Sequence, residues 1–227
     1  MFVGHYGPSF AANAAEKRLP LWLLFIAVQF VDVLWVIFVL CGLEKVRIVP
    51  GITASSPLDL YYMPYTHSLV GALGWSLFVF LVSQMVPRLR GSRTGLILAI
   101  AVFSHWVLDL IVHRPDLALY DNVYKMGFGL WNYRVPSFVV EVVVVLVGGV
   151  MYLKTVPKRG RVIVFLIGLA VLQFVGTFAS PPPSSDPAEA WTALFFYLLL
   201  ALIAAWVDRG QTTLEQDSMA LSSKAPG

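Results

Sequence analysis

The stretch Thr94–His113, TGLILAIAVFSHWVLDLIVH, decides the fold class. It is a nearly continuous apolar run without Lys, Arg or Glu. Its length matches the ~20 residues that a helix needs to cross a bilayer. The run stops at Arg114-Pro115, and proline disfavours helix both at its own position and at the residue before it. The stretch therefore predicts a membrane-spanning helix.

Composition extends this prediction to the whole chain. Of its 227 residues, 58% are hydrophobic and 13% are charged, and the mean hydropathy is +0.76. A soluble domain needs more charge to cover its surface, so lipid must solvate much of this chain. The net charge of +3 is carried by short basic clusters between apolar runs, which indicates topology signals and no nucleic-acid partner. Cys41 is the single cysteine, which excludes an intrachain disulfide.

Further apolar runs of spanning length lie on both sides of this stretch. We therefore predict an all-α, polytopic transmembrane bundle of about six helices, forming one domain over residues 1–207. A polar tail, 208–227, is predicted to be disordered. The predicted spans are Pro20–Leu43, Tyr65–Val86, Thr94–His113, Pro136–Leu153, Val162–Ala179 and Ala190–Val207.

The loops between these spans predict an orientation. Arg88–Arg93 and Lys154–Arg161 are short and basic, so both should be cytoplasmic, and about six spans then place both termini in the cytoplasm. Glu44–Pro64 and Arg114–Val135 fall on the opposite face, and both are long and rich in aromatic residues. A binding site is often built from such loops. The proline-rich Ser180–Glu189 reads as a stiff connector.

The strongest chemical signal is the SHWVLDLIVH motif that ends the third predicted span. His105, Asp109 and His113 are spaced i, i+4 and i+8, so they project from one helix face. Imidazole and carboxylate together suit zinc, iron or manganese. An Asp inside a span is costly and marks a site or relay by default. The simpler alternative is that His113 caps the helix and Asp109 only bonds a neighbouring histidine.

Three more residues are candidate metal ligands. His67 begins the second span between two hydroxyl residues, which could orient its second ring nitrogen. Asp32 lies near the middle of the first span and must face the bundle interior, either as a ligand or in an Asp–His hydrogen bond. His5 precedes the first span, so it reaches the others only if the N-terminal segment re-enters the bundle, with Ala11–Ala15 as a short helix.

Two further residues are assigned roles from their position. Glu141 is alone in an apolar run and could carry a proton or act as an additional ligand, so Asp32, Asp109 and Glu141 are the predicted catalytic acids. Arg114 is the candidate substrate-binding residue because a guanidinium suits phosphate, although an Arg beside Pro at a span end is more often an interfacial anchor.

These motifs resemble those of the YdjM-type membrane-bound metal-dependent hydrolases, a family described as LexA-regulated proteins of the inner membrane. The likeness rests on the THS motif at His67 and the SHxxxD motif at His105 and Asp109, and it covers roughly the first half of the chain. The family pattern also includes an N-terminal His and an early acid. The resemblance therefore implies a metal set of His5, Asp32, His67, His105 and Asp109, in a bacterial inner-membrane protein.

The leading functional prediction is a membrane-embedded hydrolase with a divalent metal cofactor. Zinc is favoured, and manganese or iron would also suit the ligands. A site among helices near the outer leaflet suggests a lipid or a lipid-linked phosphoester as substrate. A proton- or metal-coupled transporter is the alternative, because intramembrane Asp, Glu and His can form a relay. Haem ligation by two histidines is a third possibility, which the nearby carboxylates disfavour.

Overall fold

A computed structural model describes residues 1–179 and 185–222. The described chain is a bundle of α-helices with one small antiparallel hairpin, which confirms the predicted all-α helical architecture in its main feature. The elements in chain order are a 3-10 turn Val3–His5, α1 Tyr6–Ala15, α2 Leu21–Val28, α3 Phe30–Leu40, β1 Lys45–Ile48, β2 Leu58–Tyr62, α4 Leu69–Met85, α5 Ser92–Val112, a 3-10 turn Leu130–Asn132, α6 Arg134–Leu153, α7 Arg159–Phe178 and α8 Asp186–Ser222.

Within the described ranges, four helices are long and apolar enough to cross a membrane, namely α5, α6, α7 and the Pro187–Arg209 part of α8. The chain is therefore an integral membrane protein by this measure. The first predicted span is broken into α2 and α3, which are bent by 51° and count as a fifth span if taken together. Helix α4 has 17 residues, at the lower limit for crossing a bilayer. The count of six and the cytoplasmic termini stay predictions.

The N-terminal segment lies inside the bundle, as the prediction for His5 required. Helix α1 packs between α2 and α6, and Tyr6 and Phe10 are fully buried. It packs tightly on α6 at Gly7 and Gly148, where a side chain on Gly148 would collide with the backbone of Gly7. Glycines at this crossing allow the two backbones to touch, a common way of packing helices in membranes.

The loop between α3 and α4 and the C-terminal segment contain structure that the sequence did not suggest. Strands β1 and β2 form a hairpin in which Lys45 pairs with Tyr62 and Ile48 pairs with Leu58.

The backbone of α8 continues to Ser222, so most of the predicted disordered tail is helical here, in keeping with its helix-forming Ala, Leu, Gln and Glu residues. Residues 223–227 of that tail, and 180–184 of the predicted proline connector, lie outside the described residues.

Candidate metal centre

The predicted metal ligands come from four separate parts of the chain and meet in the bundle interior. His5 ends the first 3-10 turn, Asp32 lies in the first turn of α3, His67 precedes α4, and α5 with the residue after it supplies the rest. All of these residues are buried, with at most 9% of their surface exposed. The complete set is His5, Asp32, His67, His105, Asp109 and His113.

Asp109 is at the centre of the cluster. Its Oδ1 lies 3.1 Å from His5 Nε2, and its Oδ2 lies 3.1 Å from His105 Nε2. The same Oδ2 is 3.6 Å from His113 Nε2 and 3.7 Å from His67 Nε2. All four histidines therefore direct the same ring nitrogen towards one carboxylate.

Asp32 forms a second focus beside the first. Its Oδ1 lies 3.1 Å from His67 Nε2 and 3.3 Å from His105 Nε2. Two overlapping groups consequently have the ligand spacing for a metal ion: His5 with His105 and Asp109, and Asp32 with His67 and His105. In each group the ligand atoms lie within 4.8 Å of one another.

The opposite ring nitrogens show where the histidine protons reside. His105 Nδ1 lies 2.8 Å from the carbonyl oxygen of Val28, which can only accept, so Nδ1 carries the hydrogen. His113 Nδ1 lies 2.9 Å from Asp116 Oδ1 and donates in the same way. Neutral rings with these tautomers have a lone pair on Nε2. In this neutral form the lone pairs face carboxylate oxygens, which is unfavourable unless a metal ion or a second ring proton lies between them.

His67 is held by a longer relay. Its Nδ1 lies 2.7 Å from the Thr66 hydroxyl, which itself donates to Glu44 Oε2 at 2.6 Å. Because the hydroxyl proton goes to Glu44, the Thr66 oxygen must accept from His67 Nδ1. Backbone N–H groups of Tyr65 and Thr66 also donate to Glu44 Oε1, at 2.8 and 2.9 Å. Such partners on the far side of the ring are typical of metal-bound histidines.

The spacing is compatible with a bound cation as well as with hydrogen bonds. Two ligands of a tetrahedral zinc ion, each about 2.0–2.1 Å from the metal, lie about 3.3–3.4 Å apart. The nitrogen–oxygen distances range from 3.1 to 3.7 Å. Several exceed the 2.7–3.2 Å usual for an N–H···O bond. His105 Nε2 is buried and makes no hydrogen bond, although two carboxylates are close to it.

The break between α2 and α3 helps to build this centre. Val28 is the last residue of α2, where helix carbonyls lack partners within the helix, and its carbonyl instead receives His105 Nδ1. The helix resumes at Phe30, which places Asp32 in the first turn of α3. Interrupted helices in membrane proteins are tolerated where the backbone is buried in protein, and they often mark a site.

Two predicted site residues are found in other surroundings. Glu141 is outside both ligand groups, and its Oε2 accepts from the backbone N–H of Phe2 at 2.9 Å and of Gly4 at 3.2 Å. It thus anchors the segment that carries His5. Arg114 donates to Asp116 at 3.3 Å and also to Asp59, so its guanidinium ties the hairpin to the loop that supports His113.

Several contacts of the centre had no recognisable signal in the sequence. The Tyr197 hydroxyl on α8 donates to Asp32 Oδ2 at 2.8 Å, across 165 positions. The ring of Trp131 lies 4.2 Å from that of His113. The amino nitrogen of Met1 lies 2.5 Å from Asp109 Oδ1, so it also neutralises part of this carboxylate.

An open groove lies outside the centre, on the side of the bundle between α3 and α4. Its volume is about 640 Å³ and its lining is mostly apolar. Tyr65 and Ser68, which flank His67 in the sequence, form part of its wall. Comparisons of the chain with protein-family models, with curated proteins and with solved structures find no match.

Proposed function

We propose that the protein is a membrane-embedded, metal-dependent hydrolase of the bacterial inner membrane. The proposal rests on one observation: the Nε2 atoms of buried histidines face carboxylate oxygens at metal-ligand spacing, while Nδ1 of His105 and of His113 donates to other groups. His105 would hold one divalent cation through its Nε2, together with His5 and Asp109, and Asp32 and His67 would complete this site. His113, whose Nε2 lies 3.6 Å from Asp109 Oδ2, would be a further ligand of the ion. Zinc suits this nitrogen and oxygen set best, and manganese or iron would also be accepted.

The chemistry of hydrolysis follows from these ligands. A divalent cation lowers the pKa of a bound water towards ~7 and polarises a phosphoryl or carbonyl oxygen. The chain itself positions the ligands through Val28, Thr66 and Asp116, each of which receives an Nδ1–H. Asp32 is the most exposed acid of the site, at 9%, so water would approach from its side. It is the best candidate to accept a proton there.

The proposed substrate is a lipid or a lipid-linked phosphoester. The apolar groove beside Tyr65 and Ser68 opens laterally on a bundle whose helices are suited to a bilayer, and an acyl chain could lie in it. Arg114, the predicted phosphate ligand, is 32% exposed as a side chain but is paired with Asp59 and Asp116. It would bind phosphate only by exchanging one of these partners.

A proton- or metal-coupled transporter is the second candidate, favoured by one feature. The broken span α2–α3 places an acid at an interrupted helix inside the bundle, as at the substrate sites of many transporters. In that function the same histidines and acids would carry protons or pass the ion onward.

Elemental analysis of the purified protein tests the metal site. We expect at least one zinc or manganese ion per chain, and its loss in His105→Ala and Asp109→Ala. Asp208→Asn is the matched control and should retain the metal, because Asp208 accepts from Leu21 and Tyr152 and belongs to neither ligand group. Protein that holds no metal, and takes up none when zinc or manganese is added, would refute the proposed hydrolase. Phosphoester turnover against ion flux in liposomes then separates hydrolase from transporter.

A further inference from the structure

The two oxygens of Asp32 have different partners. Oδ1 faces the cluster, 3.1 Å from His67 Nε2 and 3.3 Å from His105 Nε2. Oδ2 accepts a hydrogen bond from the Tyr197 hydroxyl at 2.8 Å. Both residues of this last pair are buried, at 9% and 8% exposure. The hydroxyl therefore decides which oxygen of the carboxylate is available to the cluster.

We infer that Tyr197 is a positioning residue for the metal centre, through which α8 completes the site. Its O–H occupies Oδ2 and fixes the rotation of the carboxylate, so that Asp32 offers a cation one oxygen, Oδ1. Without the hydroxyl, the carboxylate is free to turn away from His67 and His105. The inference rests on the proposed metal-binding function and adds a residue from the opposite end of the chain.

Packing of the Tyr197 ring is separable from this effect. The ring lies 6.0 Å from the ring of Phe2 and belongs to an apolar cluster with Trp35 and Leu60. Tyr197→Phe keeps the ring and removes only the hydroxyl. A purely structural tyrosine would therefore leave metal binding intact in this variant.

The experiment compares metal affinity in full-length protein purified in detergent and stripped of metal. Zinc titration of Tyr197→Phe should give an affinity about tenfold or more below that of the wild type, as expected for a lost partner of a metal ligand. Tyr152→Phe is the matched control, because its hydroxyl donates to Asp208 at 3.2 Å and not to the cluster. This control should bind zinc as the wild type does.

A double-mutant cycle with Asp32→Asn assigns the loss to the Asp32 contact. In the Asp32→Asn background, the additional change Tyr197→Phe should cause no further loss of zinc affinity. The Tyr197 hydroxyl acts through the Asp32 carboxylate, which this background has already lost. Equal affinities in Tyr197→Phe and wild type, or full additivity with Asp32→Asn, overturn the inference and leave the metal site standing. A wild-type protein that binds no zinc overturns both.

Discussion

Removal of the Thr66 hydroxyl should weaken both the fold and the metal site. Thr66→Val keeps the shape of the side chain and deletes the group that joins His67 Nδ1 to Glu44. After the change, His67 Nδ1–H is buried without this acceptor, and Glu44 Oε2 loses this donor. The relay that sets the tautomer and orientation of the ring is then broken.

The size of the effect follows from the two bonds that are lost. The bond to the Glu44 carboxylate, 2.6 Å long, is charge-assisted and contributes about 1.5–3 kcal/mol, and the bond from His67, 2.7 Å long, about 0.5–1.5 kcal/mol. The free energy of unfolding of the metal-free protein should therefore fall by about 2–4.5 kcal/mol. Metal affinity should fall about 10- to 100-fold, the usual effect of losing such a partner.

Thr94→Val is the matched control for this prediction. Thr94 is as buried as Thr66, at 0% exposure, but its hydroxyl has no hydrogen-bond partner among the residues that the structure describes. The same chemical change should therefore be neutral or stabilising at that position. Denaturant unfolding with a chelator present, followed by zinc titration, measures both quantities. Wild-type zinc affinity in Thr66→Val, or an equal loss of stability in Thr94→Val, would show that the relay does not support His67.

Three further predictions address other parts of the structure. Gly148→Leu should push α1 away from α6 and abolish zinc binding, whereas Gly168→Leu, which faces open space on α7, should leave zinc titrations unchanged. Glu141→Ala should free the N-terminal segment and lower zinc affinity less than Asp109→Ala does, measured in the same titration. The bond from Arg18 lowers the pKa of Glu16, so the stability from this pair is present above the ordinary pKa of 4.5 and is lost as the pH falls through the lowered value. Thermal unfolding between pH 7 and pH 3 should therefore show a small loss that is absent in Glu16→Gln, and an unchanged loss in that variant would contradict the assignment.

Sequence reasoning predicted the parts of the fold that depend on local patterns. Apolar runs of spanning length correspond to α4, α5, α6, α7 and α8, because lipid imposes one composition on any helix that crosses it. The break at Gln29 was missed, since no proline or glycine marks it. It depends on contacts with other helices, such as the bond between Val28 and His105.

The sequence predicted those residues of the candidate site that stand out by residue type or by local spacing. His105 and Asp109 share a helix face by spacing alone, and a buried acid such as Asp32 is conspicuous in an apolar run. Glu44 and Tyr197 resemble an ordinary loop acid and an ordinary interfacial aromatic. Their roles arise from tertiary contacts over 22 and 165 positions, which no local pattern encodes.

The position of α1 against α6 has a consequence for how the protein is made. His5 is translated before Glu141, which holds its segment, and the whole of α5 lies between these two residues in the chain. The chain up to the end of α5 is therefore made before the centre can be complete. In the proposed metal centre, an ion that needs His5 would be captured only once α1 has docked on α6. A bound ion would then show that the chain has been made at least as far as α6.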